Sequence, residues 1–227
     1  MRIMVIASGG LDSTVLLYKA VKEVGADNVV VLTTNYGSKH NLHERKMLDW
    51  QVKHLGIQNV VSKNLKSVYE DNTDCALLQG NEDIEHSTYA EQTNGEDPVK
   101  TYVPFRNGLF LSVAAAEALS WGCKEIWYGA HADDAAGAAY PDCSESFVEA
   151  MCHAIELGTA YQTTIKAPWV HINKAGVVRE GILLGMTEEE FRHTRSCYED
   201  SAEPCHQCAT CLDRAKAFKE NNLPEDL

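Results

Sequence analysis

The stretch from Ile3 to Leu17, IMVIASGGLDSTVLL, constrains the fold more than any other part of the chain. Ile3, Met4, Val5 and Ile6 form a continuous apolar run that suits a strand buried on both faces of a parallel sheet. The chain then has to turn. Gly9 and Gly10 permit backbone angles and close approaches that a Cβ would forbid, while Ser13 and Thr14 place hydroxyls where a helix begins. Backbone N–H groups of such a turn, backed by a helix N-terminus, form a site for a phosphate or pyrophosphate.

The loop is neither a Walker A sequence, which requires Gly-x-x-x-x-Gly-Lys-Ser/Thr, nor the Gly-x-Gly-x-x-Gly dinucleotide turn. Ser8-Gly9-Gly10-Leu11-Asp12-Ser13 directly after a first strand instead resembles the pyrophosphate loop of the ATP pyrophosphatases. That resemblance implies cleavage of ATP between its α and β phosphates to adenylate an oxygen.

Downstream, strand-like and helix-like segments alternate. Ser13–Val24 has a helical apolar stripe and stops at Gly25; Asn28–Asn35 reads as a strand, residues 43–55 as a helix, and Asn59–Ser62 as a third strand. Residues 67–99 lose this pattern, with Asn72, Gly80, Asn81, Asn94 and Gly95 among several carboxylates, as expected of an insertion, a lid or a mobile surface loop. The pattern returns with a helix at Leu109–Trp121 and a strand at Lys124–Gly129. A helix at Phe147–Leu157, a strand at Ile165–Pro168 and a helix at Asn173–Leu184 follow. The alternation predicts a doubly wound, mostly parallel α/β sheet, with ligands at the strands' carboxyl ends. Tyr36-Gly37-Ser38 and His131-Ala132-Asp133-Asp134 are polar segments at such ends.

The 227 residues carry 20 Lys plus Arg against 33 Asp plus Glu, a net charge of −13 that argues against a broad nucleic-acid-binding face. No apolar run approaches the ~20 residues of a membrane span, and the apolar start at Ile3 is too short for an export signal, so a cytoplasmic location is expected. The length suits one α/β domain over 1–227 with an appendage at about 190–227.

That appendage contains four of the eight cysteines, Cys197, Cys205, Cys208 and Cys211, spaced Cys-x₇-Cys-x₂-Cys-x₂-Cys. Four thiolates at tetrahedral positions suit a structural zinc ion; the spacing alone also admits an iron–sulfur cluster. His206, between two close ligands, reads as a solvated side chain. Cys75, Cys123, Cys143 and Cys152 have no ligand spacing and are expected to be reduced thiols.

Three further segments, YVPFRNGLFLS, GAHADDAAGAAYPDCSESF and SCYEDSAEPCHQCATCLDR, occur together with the loop. The combination resembles the 7-cyano-7-deazaguanine synthase family from Met1 to about Phe218. The resemblance implies an adenine-nucleotide α-hydrolase fold, a homodimer, and ATP-dependent conversion of 7-carboxy-7-deazaguanine and ammonia to the nitrile. Two activations by ATP are expected, the first giving an amide; a relative that stops at the amide, or passes the activated deazaguanine to DNA or a protein, stays open. Carried over by position, Ser8, Gly9, Gly10, Leu11, Asp12, Ser13 and Thr14 would cradle ATP, with Asp12 a candidate to orient Mg2+. Asp12, Ser13, Arg106 and Asp133 would be catalytic, Asn107 stands beside Arg106, and Asp134, Asp142 and Lys174 are further candidates for metal, base-edge or phosphate contacts. Cys197, Cys205, Cys208 and Cys211 would hold Zn2+. The chain departs from the family pattern at Asn35, where an Asp usually precedes Tyr-Gly, and at His206, where Gly commonly follows the second cysteine.

Overall fold

The computed structural model describes residues 1–93, 97–136 and 139–227. Asn94 and Gly95 of the irregular stretch, and Gly137 and Ala138 of the segment after Asp134, lie outside the described residues. Five parallel strands, β1 (Ile3–Ile6), β2 (Val29–Asn35), β3 (Asn59–Asn64), β4 (Glu125–Trp127) and β5 (Thr164–Lys166), lie in the order β3-β2-β1-β4-β5. Ile3 pairs with Val29 on one side and Glu125 on the other, so β1 is central. The strand order reverses there, which is where open parallel sheets bind their ligands.

The helices are α1 (Leu11–Val24), α2 (Asn41–His54), α3 (Tyr89–Gln92), α4 (Arg106–Trp121), α5 (Ala132–Ala135), α6 (Glu145–Gly158), α7 (Lys174–Leu184), α8 (Glu188–Arg192) and α9 (Ala209–Glu220). Side-chain alternation along the strands sets the layers. Ile3, Val5, Val29 and Val31 enter a core with Leu16 of α1, Val177 of α7 and Phe218 of α9. Met4, Val30 and Leu32 face the other way, onto Leu111 and Ala114 of α4 and Ile155 of α6.

Most predicted elements occur, with shifted ends. α1 starts at Leu11 rather than Ser13, because Gly10 is the cap residue, and it is capped by no side chain. α4 starts at Arg106 rather than Leu109: Asp142 Oδ2 accepts from Asn107 N at 2.9 Å, satisfying a first-turn donor from far along the chain. Phe105 before it is left-handed (φ 52°), and its ring lies over Gly108, 2.4 Å from where a Cβ would stand, so a larger residue there would displace the ring. β4 stops at Trp127, and β5 spans Thr164–Lys166 rather than Ile165–Pro168.

The stretch predicted as irregular packs onto the molecule. Leu77, Leu78 and Ile84 are buried, Ser38 and Leu78 form an antiparallel bridge, and Lys39 N donates to the Leu77 carbonyl at 3.0 Å. These side chains share an apolar cluster with Tyr36, Phe110, Cys197, Cys208 and Cys211, so insertion and cysteine segment meet over the end of β2. No described helix is long and apolar enough to cross a membrane.

Candidate active site

A cleft of about 1040 Å³ opens at the carboxyl ends of β1, β2 and β4, with Ser8, Gly10, Leu11, Asp12 and Ser13 in its wall. Ser8 Oγ donates to Glu44 Oε1 (2.8 Å) and accepts from Gly10 N (3.1 Å). Ser13 Oγ donates to the Gly10 carbonyl (3.2 Å) and accepts from Ser8 N (3.3 Å). The hydroxyls therefore brace the turn, leaving the first-turn N–H groups of α1 for a ligand. Gly9 is needed for a different reason: its φ is 101°, and a Cβ would stand 2.1 Å from the Glu44 carbonyl oxygen on α2. Gly10 has an ordinary extended φ of −69°. Gly9 and the fully buried Thr14 lie behind the cleft wall.

Asp12 Oδ2 lies 3.4 Å from Lys174 Nζ and 3.7 Å from His131 Nε2. Burial disfavours its charge, yet Lys174 and His131 together hold the carboxyl below its ordinary range. Asp12 Oδ1 is buried with no hydrogen-bond partner elsewhere in the protein. Burial likewise opposes the Lys174 charge, but Asp12, Asp134 and Asp213 hold the ammonium above its ordinary value. Asp134 lines the cleft, and its Oδ1 is 3.3 Å from His131 Nε2. Asp133 is placed elsewhere. It lies outside the cleft wall, and its Oδ2 accepts from Lys174 N at 2.8 Å, at the start of α7.

Arg106 enters from the N-terminus of α4. Its Nη1 donates to Tyr36 Oη at 3.1 Å, and the guanidinium lies over the rings of Tyr36 (5.3 Å) and Phe110 (5.8 Å). Among the described residues no carboxylate lies within 4.0 Å of it; Nε donates to Asn107 Oδ1 at 3.4 Å, which leaves Nη2 for an anion. Asn107 lines the cleft and Asp142 is packed behind it: Asn107 Nδ2 reaches Cys143 Sγ at 3.2 Å, and Tyr128 Oη donates to the Asp142 carbonyl at 3.0 Å. Burial pushes the Asp142 carboxyl and the Cys143 thiol up, which makes Cys143 a poor nucleophile. Asn35 Oδ1 accepts from Gly37 N at 3.1 Å, so the turn keeps its acceptor without the usual charge.

The cysteine segment forms the far wall. Sγ atoms of Cys197, Cys205, Cys208 and Cys211 lie within 4.8 Å of one another, a donor set that suits a metal ion. Cys205 N donates to Cys197 Sγ and Cys208 N to Cys205 Sγ, each at 3.3 Å, as stabilised thiolates require. Cys205 and Cys211 sulfurs are 4.0 Å apart. Tetrahedral ligands 2.3 Å from one ion stand roughly 3.8 Å apart. His206 is exposed and left-handed (φ 57°), which explains why glycine suits its position. Cys75, Cys123 and Cys143 are buried free thiols, and Cys152 is half-buried.

A family model described as Queuosine biosynthesis protein QueC matches residues 2–222. The chain belongs to this family. Curated QueC-family relatives named 7-cyano-7-deazaguanine synthase match it over nearly their whole length. The Porphyromonas gingivalis protein is 34% identical, covering 98% of this chain and 94% of that one. The Caldicellulosiruptor bescii protein is 36% identical (100% and 96%) and the Archaeoglobus fulgidus protein 35% (100% and 90%). The U34-tRNA thiolase NcsA from Methanococcus maripaludis, a structure with its 4Fe-4S cluster, has a TM-score of 0.50 at 16% identity, over 97% of this chain and 66% of that one. At that identity the likeness concerns the fold alone.

Sequence reasoning about this QueC-family chain missed Arg195. It is buried, and its N–H donates to the Gly9 carbonyl at 2.9 Å. Its guanidinium donates to the carbonyls of Cys197, Glu199, Ser201 and Ala202. It thus ties the cysteine segment to the loop. Tyr89, Tyr140 and Tyr198 were also missed as cleft residues, because a tyrosine carries no spacing signal in sequence.

Proposed function

We propose that the cleft converts 7-carboxy-7-deazaguanine and ammonia to 7-cyano-7-deazaguanine, driven by cleavage of ATP between its α and β phosphates. One observation carries the reading within the family: the Ser8–Ser13 loop and Arg106, with no carboxylate at its fork, line the same cleft. A carboxylate is a poor electrophile until one oxygen bears a leaving group. Loop N–H groups would hold the phosphates, and Arg106 would orient the carboxylate or the leaving phosphate. Asp12 Oδ1, buried and without a partner, supports a role for Asp12 in which it would orient magnesium carried by the nucleotide. Attack by ammonia gives the amide; activation of the amide oxygen and its loss give the nitrile. Ser13 braces the loop, and Asp133 acts by fixing the start of α7.

The four cysteines would hold zinc, which supplies cross-linking rather than chemistry at a fully ligated site. The 4.0 Å sulfur separation supports a single ion, since a cubane cluster would hold its ligands further apart. On this reading the chain is one domain with a metal-binding appendage, a cytoplasmic homodimer without direct nucleic-acid contact. Eight cysteines, none of them in a disulfide, suit a reducing compartment.

The test is mass spectrometry of purified protein with magnesium ATP, ammonium and 7-carboxy-7-deazaguanine, with nucleotide products quantified. Nitrile and AMP are expected, with Asp12→Ala slower by about 10²-fold or more. ADP in place of AMP would replace the activation chemistry. Amide alone would assign the chain to a relative that stops there, and neither product would overturn the synthase reading.

A further inference from the structure

The hydroxyls of Tyr89, Tyr140 and Tyr198 come together in the cleft wall from the insertion, the loop after β4 and the cysteine segment. Four contacts join them to Thr101: Thr101 Oγ1 to Tyr140 Oη (2.7 Å), Tyr140 to Tyr89 (3.3 Å), Tyr89 to Tyr198 (2.9 Å) and Tyr140 to Tyr198 (3.2 Å). Each hydroxyl owns one hydrogen, so four contacts consume all four. This works in only one way. Thr101 must donate to Tyr140, and the phenols must donate around the ring in one sense. If Tyr140 donated outward to Thr101, two hydrogens would remain for three contacts. Tyr140 therefore accepts twice, while Tyr89 and Tyr198 accept once each and keep a lone pair. Burial pushes Tyr140 up to about 12 and Tyr89 and Tyr198 well above their ordinary value, so the ring keeps its hydrogens at neutral pH.

The cleft thus presents two acceptors 2.9 Å apart and no free hydroxyl donor at that point. A guanine-type ring edge offers two adjacent donors, N1–H and the 2-amino group. An adenine-type edge pairs its amino donor with an acceptor nitrogen, whose lone pair would face the second phenol oxygen. We propose that Tyr89 and Tyr198 determine substrate specificity by accepting hydrogen bonds from the N1–H and 2-amino group of the deazaguanine ring. This assignment rests on the synthase reading and names how that cleft selects its heterocycle. Thr101, buried behind Tyr140, fixes the direction of donation and makes the pair acceptor-only.

The test is calorimetric titration of wild type, Tyr89→Phe and Tyr198→Phe with 7-carboxy-7-deazaguanine, with its analogue lacking the 2-amino group, and separately with ATP. Wild type is expected to prefer the amino compound by about 10²-fold or more, because a site built to hydrogen-bond a group rejects ligands without it. Each phenylalanine variant is expected to cut that preference below roughly tenfold, with ATP affinity within about threefold. Equal binding of the two compounds by wild type, full preference in both variants, or a loss falling on ATP would each overturn the assignment. Phenylalanine keeps the ring shape, and Tyr89 stands outside the cysteine segment, so its variant reports even where Tyr198→Phe disturbs that segment. Nitrile formation by wild type with unchanged preference in the variants overturns the ring alone. Wild type that binds ATP but neither heterocycle overturns the synthase reading and the ring together.

Discussion

Asp12 and Lys174, 3.4 Å apart from Oδ2 to Nζ, keep each other charged in a cleft wall where burial opposes both charges. Removing one partner of such a pair leaves the other charge without compensation. Lys174→Met is expected to destabilise the protein by about 1–3 kcal/mol at pH 7, below the fully buried range because the Asp12 side chain is 24% exposed. The pH dependence follows from the directions of shift. Asp12 is depressed from 3.8, so its contribution is complete above that value and lost as pH falls through the folded-state value. Lys174 is raised from 10.5, so its contribution is complete below that value and lost as pH rises through the folded-state value. Urea midpoints of wild type and Lys174→Met should therefore differ at pH 7 and converge as pH falls from 3.8 through the lower folded-state value of Asp12. A gap that persists in acid would make the lysine's role one of packing. The loop residues were legible in sequence because they are contiguous. Lys174 was a candidate phosphate contact in sequence, but its pairing with Asp12 was not legible, because the two residues stand far apart in the chain.

Element boundaries were misread where a distant group sets them. Hydrophobic periodicity located the five strands and helices α1, α2, α4, α6 and α7 but missed α9 (Ala209–Glu220), and α4 begins early because Asp142, beyond β4, accepts from its first turn. The clustering of the four cysteines was legible outright, because their short spacing leaves the thiols little room to separate. Its turn explains one departure from the family pattern. His206 occupies a left-handed conformation (φ 57°) with its side chain exposed, a conformation that costs an L-residue about 1–2 kcal/mol. Glycine removes that strain and loses roughly 0.5–1 kcal/mol through its freer unfolded chain. His206→Gly should raise Tm by up to ~4 °C in a thermal melt, with metal content unchanged by elemental analysis. A lower Tm would show that the imidazole contributes something the turn needs.

At the scale of the molecule, the cysteine segment and the Ser8–Ser13 loop are joined directly. Arg195 joins them, its N–H on the Gly9 carbonyl and its guanidinium on four carbonyls between Cys197 and Ala202. Arg214 anchors the same region, donating to Leu227 O, Phe191 O, Thr194 Oγ1 and Ser196 Oγ. His43 meets Asp200 at 3.2 Å and His86 meets Glu199 at 2.9 Å, so α2 and the insertion are fastened to that segment too. None of these ties is visible as a motif, because each joins residues distant in sequence through side chains with ordinary surface preferences. With a metal held by the four cysteines, chelating it should therefore do more than melt a terminal appendage. Four unligated thiols in a small apolar cluster cannot hold their spacing, and residues 195–202 would lose the register that fixes the Gly9 carbonyl. ATP affinity of the chelated protein is expected to fall at least about tenfold, with faster amide exchange at residues 8–13. Arg195→Ala in metal-replete protein should reproduce much of that loss while retaining its metal. If chelation lowered Tm but left ATP affinity and exchange at the loop unchanged, the cysteine segment would be a local staple, and the loop would stand on α1 and α2 alone.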